Sequence, residues 1–138
     1  MTLTNITVQT TINNTIEIVW DSFTNPEHII HWNFASDDWH CPYAKNDLVA
    51  GGSFTYHMAA KDGSFGFDFG GVFDEIMLNK LLRMTLGDGR KIEVHFKTVN
   101  NQTEVTETFE AENQNPIEMQ RIGWQMIMDN FKKHTETI

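Results

Sequence analysis

Between Asp37 and Phe109 the chain is broken at short intervals by pairs of turn-forming residues: Gly51-Gly52, Asp62-Gly63, Asp88-Gly89 and Asn100-Asn101. Each pair lies between segments rich in Phe, Val, Ile, Leu or Thr, and antiparallel hairpins follow from that spacing. Phe54, Tyr56 and Met58 alternate with polar partners, and Ile92, Val94 and Phe96 alternate with Glu93, His95 and Lys97. Such period-2 alternation gives the sheet one dry and one wet face.

The flanks follow other patterns. Ile6, Val8, Thr10 and Ile12 fall on one side of a first strand. Ile16, Val19, Trp20 and Phe23 then recur at the i, i+3, i+4, i+7 spacing of a helical face, and Asn14 with Glu17 reads as a capping-box pair at its start. Asn25-Pro26 opens a second short helix, with Asn as the cap, Pro in the first turn, and Ile29, Ile30 and Trp32 on the apolar side. After Pro116 the pattern predicts one long helix to about His134, on which Ile117, Trp124, Ile127, Met128 and Phe131 share an arc of roughly 100°. That width suits a helix lying on a sheet. With 138 residues and no repeat, linker or low-complexity tract, residues 1–138 are expected to form a single domain.

Charge narrows the partners. Ten Lys+Arg against nineteen Asp+Glu leave a formal charge of −9, which repels a phosphate backbone or an anionic membrane at long range. Neither nucleic acid nor membrane is expected as a partner. No run approaches the ~18 apolar residues of a membrane span, and the N-terminus, Met1-Thr2-Leu3-Thr4-Asn5, lacks the basic-then-apolar pattern of a leader. Cys41 is the only cysteine, so neither an intramolecular disulfide nor a Cys-rich zinc cluster can form. A reducing, cytoplasmic setting is expected.

Several residues invite a chemical reading. His28 and His31 have the i, i+3 spacing that sets two imidazoles on one helical side, yet no carboxylate partner or His-Glu-x-x-His frame accompanies them. No metal or other cofactor is expected. His40 and Cys41 are adjacent, and neighbours on a strand point to opposite faces, which removes them as a base and nucleophile pair. Strands, not helices, follow Gly51-Gly52 and Gly87-x-Gly89, so neither forms a phosphate cradle. Phe65, Phe67 and Phe69 share a strand face and alternate with Gly and Asp, leaving room for a close neighbour or a void. The most telling residue is Glu107, which is in phase with Val105 and Phe109 and so places a carboxylate on the dry face. Gln120 shares the helical arc of Trp124 and Ile117.

Strand, two short helices, a series of antiparallel strands and a long C-terminal helix is an order that resembles the START-related ligand-binding superfamily, also written SRPBCC. The local segments are similar too. Val19-Trp20-Asp21-Ser22-Phe23-Thr24-Asn25-Pro26-Glu27-His28 resembles that group's "VW-x-x-(L/F)-T-(D/N)-PEH" signature. Asn46-Asp47-Leu48 followed by Gly51-Gly52-x-Phe54 resembles "DL-x-x-GG-x-F", and Gly123-Trp124 its C-terminal "GW". Together they are similar to the branch related to the C-terminal domain of the activator of the heat-shock-protein ATPase (Aha-type). The resemblance implies an α+β helix-grip fold, a curved antiparallel sheet wrapped around the long C-terminal helix, with two short helices after the first strand. A largely apolar cavity between sheet and helix is implied as well, with ligand binding as the common theme and cyclase or hydrolase chemistry only on some branches.

The expected function is non-catalytic binding of a small, mostly apolar molecule in that cavity. Tyr56, Phe67, Phe69, Val94, Phe96, Glu107, Gln120 and Trp124 are its expected lining, with Glu107 and Gln120 orienting the ligand. One alternative is a cyclase- or hydrolase-type enzyme using Glu107 as acid/base, for which the sequence identifies no second group. Another is a chaperone-interacting module that uses its outer surface. Met119, Ile122 and Met126 lie nearly opposite Trp124 on the long helix and are expected to be exposed, an adaptable stripe for a second copy or a protein partner.

Overall fold

In the computed structural model of the chain, residues 3–138 are described. Met1 and Thr2, the first residues of the segment read as leaderless and of the expected 1–138 domain, lie outside them. The elements run β1 (Asn5–Ile12), α1 (Ile16–Thr24), α2 (Pro26–Ile29), β2 (Trp39–Asn46), β3 (Ser53–Ala60), β4 (Gly66–Met77), β5 (Leu81–Leu86), β6 (Lys91–Val99), β7 (Gln102–Glu110) and α3 (Ile117–Thr135). One curled sheet takes all seven strands in the order β1-β7-β6-β5-β4-β3-β2, every neighbour antiparallel. This is the helix-grip arrangement, with α3 packed along β1 and its C-terminal half against α1.

Local chemistry accounts for the turns and the curl. Asn100 and Asn101 both take positive φ, 51° and 66°, closing β6 onto β7 by a two-residue hairpin whose twist matches the strands. A further turn, absent from the sequence reading, joins β4 to β5 through Asn79 at φ 61°. Its Asn-Lys pair carries no strong turn signature. Register slips between His40 and Tyr43, where Pro42 sits on the edge strand β2, and again between Phe73 and Glu75. Bulges of this kind bend a strand and increase its twist. At Gly71 an added Cβ would collide with the backbone oxygen of Thr85, so only glycine lets β4 and β5 approach there.

The start of α1 differs from expectation. The helix cap is Thr15, whose Oγ1 accepts from the Ile18 N–H (3.4 Å), not Asn14. Asn14 lies one residue too early, in the turn leaving β1. Its Oδ1 accepts from the Thr15 N–H (2.9 Å), and its Nδ2 donates to the Thr135 carbonyl (3.1 Å). Asn25 caps α2 as expected, accepting from the Glu27 N–H (3.0 Å) with Pro26 in the first turn.

The C-terminal half of α3 is clasped by α1 and α2. Phe131 is fully buried, its ring 5.2 Å from Phe23 and 4.8 Å from Trp32, both edge-on. Around these rings the polar groups are paired: Ser22 Oγ with Thr135 Oγ1 (2.7 Å), and the Trp32 indole N–H to the Ser22 carbonyl (2.9 Å). His28 Nδ1 lies 3.0 Å from His134 Nε2, while His31 stacks on the His134 ring, so these two histidines help to join α2 to α3. Among the described residues no cluster of three or more His, Cys, Asp or Glu side chains is arranged to hold a metal ion. Further along, the Gln125 amide donates to the Gln9 carbonyl (3.0 Å) and accepts from its N–H (3.3 Å), covering part of the free edge of β1. On the outer face of α3, Met119, Ile122 and Met126 are 59%, 57% and 39% exposed. Among the described residues no helix is long and apolar enough to cross a membrane.

Phe131 and Trp124 bear different loads. Phe131 is enclosed on all sides, whereas Trp124 is only partly buried. Phe131→Ala is therefore expected to cost about 3–5 kcal/mol in urea denaturation, and Trp124→Ala distinctly less. A larger loss for Trp124→Ala would mean that the clasp is misassigned.

Candidate functional site: a cavity beneath the C-terminal helix

Between α3 and the dry face of the sheet lies a cavity of about 510 Å³. Gly123, Trp124 and Ile127 form its helical wall, and Phe54, Tyr56 and Met58 on β3 its sheet wall, continued by Leu82, Met84 and Ile92. The segment from Trp32 to Ser36, with Trp39, closes a third side. Of the residues expected to line it, Tyr56, Phe67, Phe69, Glu107, Gln120 and Trp124 surround this space.

Val94 and Phe96 do not. Val94 is fully covered between its cross-strand neighbours Leu82 and Glu107. Phe96 lies farther along β6 beneath α1, its ring 5.0 Å from Trp20 and 5.5 Å from Phe23. Both share the correct face of the sheet, but α1 and core packing occupy that stretch. Phe65 also departs from expectation: it precedes β4, is 62% exposed, and meets Phe67 and Trp39 outside the strand. Phe67, 42% exposed yet part of the lining, marks the mouth of the cavity.

The walls are aromatic. The Trp124 indole stacks on Phe109 with ring centres 3.7 Å apart at 12°, and Phe69 meets it edge-on at 5.8 Å. Phe54 contacts Tyr56, Phe69 and Phe73 in turn.

Against this setting Glu107 is exceptional. It sits on β7 between Val8 on one neighbouring strand and Val94 on the other. The part of the side chain that is not covered faces the cavity it lines. Burial pushes its carboxyl from the ordinary 4.5 to about 7, and no neighbouring charge offsets this. Arg83 pairs with Glu75 and Glu93, and Arg121 with Glu118, so neither serves Glu107.

Gln120 serves a different end from the one expected. Its Oε1 accepts from the Glu112 N–H (3.0 Å), and its Nε2 donates to the carbonyls of Glu112 (3.1 Å) and Asn115 (2.8 Å). The amide borders the cavity but is spent on pinning the loop before α3. Tyr56 is the polar group that sequence periodicity under-read. Its oxygen accepts from Asn46 Nδ2 (3.1 Å), and burial pushes the phenol up to about 12, so it stays neutral with its own hydrogen available. Cys41, pushed up to about 11 by burial, donates its S–H to the Tyr43 carbonyl and is an inert thiol. The lining from Trp32 to Ser36 carries no periodic signal and could not be found from the sequence. Phe54, Met58 and Ile92 were legible as dry-face residues.

Residues 13–136 match the family described as Activator of Hsp90 ATPase homolog 1-like protein. The chain belongs to that family. The solution structure of an AHSA1-like protein from Aeromonas hydrophila is similar, with 43% identity and a TM-score of 0.91 over 97% of this chain and 93% of that one. A protein from Cytophaga hutchinsonii shares 49% identity with a TM-score of 0.83, over 96% and 92% of the two chains. A Nitrosomonas europaea protein at 18% identity, covering 96% and 94% with a TM-score of 0.83, shares the fold. No curated protein matches. The segments that carry the family resemblance build the site: Val19–His28 spans α1 and the start of α2 in the clasp, and Gly123-Trp124 forms the wall above Glu107's face of the sheet.

The pH dependence of stability follows from Glu107. Below pH 4.5 both folded and unfolded chains hold the proton and burial carries no charge penalty. As pH rises towards 7 the unfolded chain ionises first, so stability falls, and above that the full penalty remains. At ~1.4 kcal/mol per tenfold in proton affinity, the penalty is at most about 3.5 kcal/mol. Glu107→Gln is therefore expected to melt at a higher temperature than wild type at pH 8, with little difference at pH 4. An unchanged gap between the two pH values would place the carboxyl in bulk water.

Proposed function

We propose that this chain is a non-catalytic protein that binds a small, mostly apolar molecule in the cavity between the sheet and α3. The observation that carries this reading is Glu107, an unpaired carboxyl in a mostly apolar enclosure. Such a group destabilises the empty protein, and a retained cost of this kind suits a ligand that uses it. A cytoplasmic setting, in keeping with the lone cysteine, belongs to the same reading.

Gly123 supports it independently. Glycine inside a helix costs ~1 kcal/mol relative to alanine. A Cβ added at Gly123 would meet nothing within 4 Å, so no packing contact requires glycine there. What a larger side chain would consume is the cavity itself, since Gly123 lines it.

The test uses N-phenyl-1-naphthylamine, a dye that brightens in apolar sites. Wild type is expected to enhance its fluorescence saturably, Gly123→Ala to gain about 1 kcal/mol of stability, and Gly123→Phe to remain folded while losing the dye. No enhancement with wild type, or undiminished binding by Gly123→Phe, would defeat the proposal.

The exposed stripe of Met119, Ile122 and Met126 favours a second reading, contact with another protein or a second copy through the outside of α3. Sedimentation of wild type at tens of micromolar is then expected to show self-association that Ile122→Glu removes. A wild-type monomer would rule out the homodimer.

A further inference from the structure

The polar groups around the cavity are unequally provided for. Arg90, the only Lys or Arg in the lining among the described residues, donates through Nε to Asp88 (2.8 Å) and through Nη1 to the Glu110 carbonyl (3.4 Å). The Gln120 amide uses both its ends on the backbone of Glu112 and Asn115. Glu112, the other carboxylate in the lining, accepts from the backbone and side-chain N–H groups of Asn115. Tyr56 accepts from Asn46. Glu107 alone is left with neither a cation nor a donor against it among the described residues.

What Glu107 lacks is therefore a positive hydrogen-bond donor, and a ligand in the cavity is the remaining source of one. We propose that the molecule bound here is an apolar body carrying a single protonated amine, whose N–H groups bind the Glu107 carboxylate while the body lies among the aromatic rings. This rests on the binding reading above and names the ligand class for that site. A neutral donor would satisfy the carboxylate's lone pairs but leave a net charge buried. An anion would add a second. An ammonium removes the charge, and aromatic rings, which attract cations, line the same cavity at Trp124, Phe69 and Tyr56. The formal charge of −9 raises the local concentration of cations near the protein and lowers that of anions. The raised proton affinity of Glu107 agrees with this, because it reports a carboxylate with no positive partner of its own.

Three probes of one shape test the assignment by calorimetry at pH 8, where the amine is protonated and Glu107 ionised: 1-naphthylmethylamine, 1-naphthalenemethanol and 1-acetonaphthone. The amine is expected to bind wild type at least tenfold more tightly than the alcohol or the ketone. Glu107→Gln should abolish that advantage while leaving the alcohol's affinity within about twofold. An alcohol or ketone that binds wild type as tightly as the amine would overturn the amine assignment and leave the cavity reading standing. Binding of none of the three would defeat both. An amine advantage that survives in Glu107→Gln would remove Glu107 as its cause. The wild-type comparison decides the ligand class even if the variant fails to fold.

Discussion

The edge-on contact of Phe131 with Phe23 and Trp32 determines whether there is a cavity at all. Protein interiors close-pack wherever they are free to do so, and a helix with an apolar stripe would normally settle onto the sheet below it. Here α3 is supported at both ends. The three bulky rings and the Ser22–Thr135 hydrogen bond hold its C-terminal half, and the Gln120 amide and the Trp124–Phe109 stack hold its first turns. The helix spans the sheet on those supports, with Gly123, Trp124 and Ile127 facing the gap, the first of them the smallest residue available. The void is thus a product of rigid contacts around it.

The same contacts reach the polar groups of the site. Asn46 donates to the Tyr56 oxygen and also to the Thr24 carbonyl at the end of α1, so the phenol's position is tied to the helix that clasps Phe131. Glu107 is fixed more simply. It projects from a strand paired on both sides, between two valines, and has no loop on which to swing out to water. A pendant carboxylate on a surface loop would relax towards solvent; this one retains its penalty because the sheet holds it.

Much of this was legible in the sequence. Period-2 alternation placed Glu107 in phase with Val105 and Phe109, because a strand's geometry is so regular that one apolar neighbour on each side determines the face. The turn pairs marked every hairpin from β2 to β7 except that of β4 with β5 at Asn79, and the 3.6-residue stripe marked the face of α3. What alternation cannot convey is how far along a strand the open space extends. Val94 and Phe96 share the face of Ile92, yet only Ile92 meets the cavity, because α1 covers the other end of β6. Gln120 shows a related limit. Its arc was read correctly, but the amide's partners are backbone groups of a loop whose path no periodicity describes. The Trp32–Ser36 wall was invisible for the same reason, and Thr15 took the cap from Asn14 because one residue decides which side chain reaches the helix's free N–H groups.

The position of β1 has a consequence for how the chain reaches this state. Among the described residues its only strand partner is β7, and Thr7 meets Thr108 across 101 positions of sequence. Every other strand pair joins neighbours in the chain, so β2 to β7 can zip up locally, hairpin by hairpin. Closure by β1 forms by far the longest loop in the sheet and cannot occur before β7 has been made. Until then Ile6, Val8 and Ile12 form an apolar strand with nothing to cover it, as does the open flank of β7. The Gln125 amide that later seals Gln9 belongs to a helix still farther along. The grip on the helix and the closing of the sheet are therefore the last act of assembly, and the interval before it is when the chain is most prone to pair with a neighbour.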